Sequence, residues 1–163
     1  MNPSRKRGNR AFSLIELIIV VVIIGIIAAI AIPRMSRGAA GAADAALSGD
    51  LAVFRSGIDL YAAEHLGAYP VVANIVLQLT GYSDSAGGAQ ATKDATHIYG
   101  PYLRAVPPLP VQGVGVGSGN KGDTTIAAAA AAGVGWVYTD ATGVIIANTG
   151  TAADDTGKLY TAY

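Results

Sequence analysis

The chain has 163 residues, enough for one modest domain and an appendage, and its lack of cysteine excludes a disulfide framework, a thiolate metal site and a cysteine nucleophile. Eleven basic residues balance eleven acidic ones, so no global field directs the chain toward nucleic acid. Apolar residues make up 52% and charged residues 13%, and the skew is concentrated near the N-terminus.

The first ten residues carry Arg5, Lys6, Arg7 and Arg10. Without them, seven basic residues face eleven acidic ones, a balance of −4. Leu14 to Ile32 then reads LIELIIVVVIIGIIAAIAI, 19 residues whose one charge is Glu16. As a helix rising ~1.5 Å per residue, this run spans roughly 30 Å, the thickness of a bilayer core. Basic residues on its N-terminal side keep that end in the cytoplasm and send the remainder outward. A secretory signal peptide is the rival reading, because small residues follow the run. The run is long for such a peptide, however, and a carboxylate inside an apolar span costs roughly 3 kcal/mol on insertion scales.

The string RAFSLIELIIVVVIIGIIAAIAIP resembles the N-terminus of type IV prepilins and type II secretion pseudopilins. Those families have a short basic leader cleaved before the apolar run, an aromatic first mature residue, and a Glu four residues later. Phe12 and Glu16 have that spacing, and Gly25 and Pro33 match the glycine and the proline of the family helix. The residue before the cut is usually Gly, whereas here it is Ala11. The resemblance implies cleavage by a prepilin peptidase between Ala11 and Phe12, and N-methylation of Phe12. It also implies a role for Glu16 in assembly: its carboxylate would meet the Phe12 ammonium of a neighbouring subunit in a nearly dry environment, where pairing offsets the cost of burying each charge. Gly25 and Pro33 weaken the helix and would let it bend or melt locally in a filament.

Beyond Pro33, Leu47, Leu51, Phe54, Ile58 and Tyr61 recur at spacings of 4, 3, 4 and 3, one apolar stripe on a helix that Gly67 and Pro70 end. Pro70 to Tyr82 reads as a connector with a short helix around Val72 to Leu79, and Ser83 to Thr96 as a polar loop. GPYLRAVPPLP, Gly100 to Pro110, is too rich in proline for a central strand. Its YLRAVP resembles a segment that precedes the sheet in major pseudopilins. Gln112 to Thr125 is Gly-rich, and Ala127 to Ala132 is a run of alanines without a structural signature. Trp136 to Tyr138 and Val144 to Ala147 read as strands flanking a turn with Asp140 and Gly143, a hairpin to cover the stripe. The tail is expected to end in an edge strand.

Catalytic patterns are missing. GVGVGSGNKGDTT lacks phosphate-loop spacing, and His65 and His97 have no partner at metal or catalytic spacing. Asp154 and Asp155 are candidate Ca²⁺ ligands, since that ion takes oxygen donors and major pseudopilins often bind it in their last loop. No other cofactor is expected.

The expectation is an α+β fold with a long N-terminal helix, half membrane-inserted and half amphipathic, packed on a small antiparallel sheet. Its parts are a cleaved basic leader, 1–11, a transmembrane and assembly half-helix, 12–33, and a periplasmic domain, 34–163. The resemblance implies a non-enzymatic subunit of a helical homo-oligomeric filament, the major pseudopilin of a type II secretion system that drives protein export. A type IV pilus subunit for adhesion, motility or DNA uptake is the alternative. Implied partners are the prepilin peptidase, an inner-membrane assembly platform and, before assembly, membrane lipid; nucleic acid is not among them. The expected location is the inner membrane in a single pass, then a periplasmic pseudopilus or a surface pilus.

Overall fold

The computed structural model describes residues 12–163, with the backbone alone at 32–37. The chain divides into two compact units, Met1–Ala39 and Ala40–Tyr163. One helix, α1 (Leu14–Glu64), enters both. Within the first unit, the window Leu14–Ala31 is long and apolar enough to cross a membrane, and none of it is buried by the protein. Valine and isoleucine are indifferent helix formers in water. In a bilayer the backbone must satisfy its own hydrogen bonds, and a helix does so within one segment. The helix runs unbroken through Gly25 and Pro33.

In the second unit, the stripe predicted from periodicity is the core face of α1. Leu47, Leu51, Phe54, Ile58 and Tyr61 are all at most 2% exposed. The helix stops where Leu66 enters the left-handed region (φ 57°) and Gly67 follows (φ 86°). The Gly67 amide reaches back to the Ala62 carbonyl at 2.8 Å, a 6→1 closure that satisfies one of the last free carbonyls.

The stripe is covered by a sheet of β3 (Ile126–Ala127), β4 (Trp136–Thr139) and β5 (Val144–Ala147). Strands β4 and β5 form the predicted hairpin, with Trp136 opposite Ala147 and Thr139 opposite Val144. Alternation aims Trp136, Tyr138, Ile145 and Ala147 inward. Phe54 meets Trp136 edge to face at 4.9 Å between ring centroids, the central contact of helix on sheet. Gly143 closes the turn at φ 69°, and a Cβ there would also lie 2.5 Å from the Tyr69 ring. The sheet is mixed rather than wholly antiparallel, because β3 pairs with β4 in parallel. Proline carbonyls satisfy the two buried aromatic donors of β4: Pro107, in the proline-rich Gly100 to Pro110 segment, accepts from Trp136 Nε1 at 2.9 Å, and Pro70, just beyond α1, accepts from the buried Tyr138 hydroxyl at 2.9 Å.

Three local expectations need correction. The short helix of the connector, α2, is Ile75–Thr80. The polar segment after it holds a small antiparallel pair, β1 (Tyr82–Ser83) and β2 (Ala89–Gln90), each too short to show periodicity. The tail ends in a 3-10 turn, Tyr160–Ala162, and not in an edge strand. A turn of three residues sets Tyr160 and Tyr163 on one side, which a strand would not do.

Candidate functional site

Two regions carry the residues singled out by sequence: the start of α1 and the C-terminal loop. Ala11 lies outside the described residues. Phe12 is 81% exposed, and Glu16 stands one turn on, also exposed. The first turn is closed by the Leu17 amide on the Ser13 carbonyl at 3.2 Å, which makes Ser13 the helix cap and puts Glu16 at the third helical position. A Ser three residues before a Glu is the capping-box spacing, a local signal available in the sequence itself. A carboxylate in the first turn is also favoured by the positive end of the helix dipole. That placement eases its position beside an apolar span without giving it a partner charge.

Gly25 has nothing within 4 Å of where a Cβ would be. Among the described residues no packing demands glycine there, so the space is open to another molecule. At Pro33 the helix lacks one amide donor, which leaves the Ala29 carbonyl without its intrahelical partner.

The C-terminal loop is built around Asp154. Its Oδ1 accepts from the Thr156 amide at 2.8 Å, the Thr156 hydroxyl at 2.7 Å and the Lys158 amide at 2.9 Å. Its Oδ2 accepts from the Tyr163 hydroxyl. The Thr156 and Tyr163 hydroxyl bonds, then the two loop amides, hold the Asp154 carboxyl well below the usual carboxylate range. The same bond pushes the Tyr163 phenol up to about 12. Asp155 is exposed. These oxygens fit Ca²⁺ poorly, because Oδ1 is already saturated by three donors and an ion at Oδ2 would compete with the Tyr163 hydroxyl. Among the described residues no group of three or more His, Asp or Glu is placed to hold a metal.

Two other buried polar side chains, His65 and Gln78, are tied into the domain by hydrogen bonds. His65, 4% exposed, lies with Nδ1 2.7 Å from the Tyr61 carbonyl and Nε2 2.9 Å from the Asp84 carbonyl, and its ring stacks on Tyr61 at 3.8 Å. The Gln78 amide nitrogen donates to the Tyr61 hydroxyl and the Gly87 carbonyl, and its oxygen accepts from the Val71 amide. The second histidine, His97, pairs at 2.9 Å with exposed Asp94. Sequence reasoning missed these partners: Asp84 and Gly87 meet His65 and Gln78 from a different segment, and Asp94, only three residues from His97, sits in an irregular loop with no periodic signal.

Residues 6–32 match the prokaryotic N-terminal methylation motif. The match covers Ala11, Phe12, Glu16 and Gly25 in one register and ends just before Pro33. The chain therefore carries the N-terminal signal of type IV pilins and pseudopilins. No curated protein and no solved structure matches the chain.

Proposed function

We propose that this chain is a subunit of a pilin-like filament, specifically the major pseudopilin of a type II secretion system. The observation that carries the reading is the methylation motif lying on an apolar helix that none of the described residues covers. Leu14–Ala31 exposes side chains that water would reject, so the segment needs lipid first and other copies afterwards. Prepilin peptidase cuts between Ala11 and Phe12, removing 1–11, and Phe12 is N-methylated. The 12–33 segment then holds the subunit in the inner membrane with the 34–163 domain outside, until the assembly platform extracts it. Glu16 pairs with the Phe12 ammonium of a neighbour and selects the axial offset between subunits. The glycine at 25 and the proline at 33 let the helix deform as it packs. A structural subunit needs no catalytic residues. The pseudopilin assignment rests on the cysteine-free domain and on YLRAVP, whose Tyr102 donates to Glu64 at 2.6 Å and whose Leu103 packs on Gly57 of α1.

Three measurements test the reading. Mass spectrometry of the assembled protein is expected to show a mature chain beginning with methylated Phe12; a start at Asn9 or after Pro33 refutes the processing site. Glu16→Ala is expected to insert and fold while filament yield falls at least tenfold. Normal filaments from that variant would end the pairing argument. A strain lacking the protein should lose export of folded cargo; intact export with lost twitching or DNA uptake would assign the subunit to a type IV pilus.

A further inference from the structure

We propose that the C-terminal segment is closed on itself and fastened to α1 by phenol–carboxylate pairs standing where a bound cation would otherwise be needed. The domain 40–163 has ten acidic residues and five basic ones, too few cations to pair its carboxylates. Among the described residues the one ion pair is His97 with Asp94. Three of the eight tyrosines donate to carboxylates instead: Tyr102 to Glu64, Tyr160 to Asp44 and Tyr163 to Asp154. A phenol is a neutral donor with an apolar body, so it satisfies a carboxylate and covers apolar surface at once.

Two of these pairs belong to the last turn. The 3-10 turn brings Tyr160 and Tyr163 to one side, with ring centroids 5.8 Å apart. Tyr160 reaches Asp44 on α1 at 2.6 Å, across 116 residues of chain. Tyr163 reaches Asp154 within the loop, and its carbonyl accepts from Arg55 of α1 at 2.8 Å. Lys158 Nζ lies 3.8 Å over the Tyr163 ring, a cation–π contact on the same residue. Backbone bonds complete the loop: Ala153 bridges Leu159, and Gly157, at φ 86°, donates to the Asp154 carbonyl at 3.1 Å. Asp154 thus holds both ends of the loop with an oxygen on each side, the work a divalent ion does between separate carboxylates. A domain closed this way folds equally well in calcium-poor and calcium-rich surroundings.

The test uses the full chain in detergent micelles, with thermal melting and limited proteolysis of the C-terminal segment as readouts. Millimolar calcium chloride and excess chelator are expected to give the same melting temperature. Tyr163→Phe is expected to lower it by roughly 3–6 °C, the shift expected for one hydrogen bond of ordinary net strength in a domain of this size, and to expose the loop to protease. Asp154→Ala should cost at least as much, and the double variant should cost less than the two added, because both remove the same contact. The proposal is overturned if calcium raises the melting temperature and chelator reverses the gain. It is equally overturned if Tyr163→Phe melts with the parent protein, or if the two substitutions add in full.

Discussion

The two halves of α1 pose opposite problems. Leu14–Ala31 is apolar on every side beyond Glu16 and uncovered by any described residue, while Leu47 to Tyr61 is apolar on one stripe and that stripe is buried. Both are helix, and both are rich in aliphatic residues. The second half finds its partner inside the chain, in Trp136 and the sheet behind it, so its sequence is an instruction for folding. The first half finds none among the described residues, so its sequence is an instruction for what the chain meets next. The lesson is that apolar residues locate function only when the fold leaves them unused.

Truncation to alanine in each of the two halves gives the sharpest contrast. Phe54 is fully buried against Trp136, and Phe54→Ala is expected to destabilise the domain by about 3–5 kcal/mol. Ile23, 50% exposed on the first half, should change that stability by less than about 0.5 kcal/mol when cut to Ala. Trp136, the single tryptophan and fully buried, reports the unfolding of its own unit by fluorescence in denaturant. Similar destabilisation by both variants would mean that the halves are not separate in stability. A change under about 1 kcal/mol at Phe54 would remove the core assigned to the stripe.

Alkaline pH separates the halves differently, since all eight tyrosines lie in the second unit. Burial pushes the phenol of Tyr138 well above its ordinary value. Burial and then the Glu64 bond do the same at Tyr102, and burial and then the Asp44 bond at Tyr160. Tyr163 rises to about 12 through its bond to Asp154. Each proton is held more tightly in the folded state, so the unfolded chain releases it first. This stabilisation is whole below the ordinary phenol value of about 10 and drains away as pH climbs toward the folded values. Denaturant midpoints should fall steeply from about pH 10 to about pH 12, and Tyr160→Phe with Tyr163→Phe should flatten that fall. A slope identical in the double variant would dismiss the two C-terminal pairs as contributors.

What could be read in advance divides along the same line. The apolar span, the Phe12–Glu16 register, the 4-3-4-3 stripe and the β4–β5 hairpin are local patterns, and each was legible from neighbouring residues. The Tyr160–Asp44 and Trp136–Pro107 contacts join residues far apart in sequence, where no local pattern exists. The calcium expectation rests on two adjacent acids in the loop where the resemblance to major pseudopilins implies an ion. Adjacency says nothing of how many donors already surround a carboxylate, and Asp154 has four. The composition of the tail permits a strand, while the pairing of Tyr160 and Tyr163 with their carboxylates selects a three-residue turn.

The smallest expected effect lies at the end of the buried half. Leu66 adopts φ 57° and is fully exposed, so its side chain contributes little packing while its Cβ crowds the following carbonyl. Gly is the usual residue at the left-handed position that ends a helix, and here it stands one place later, at Gly67. Leu66→Gly relieves the backbone clash but gives the unfolded chain more freedom, and the two effects oppose each other. Because the leucine side chain is bathed in solvent, its removal costs the core nothing. Relief should therefore prevail by up to about 1 kcal/mol, read as a small rise in denaturant midpoint with an unchanged slope. Leu66→Ala keeps the Cβ and should give no gain, which separates backbone strain from the removal of an exposed apolar side chain. A gain from Ala equal to that from Gly would mean that the exposed leucine, and not its conformation, was the liability.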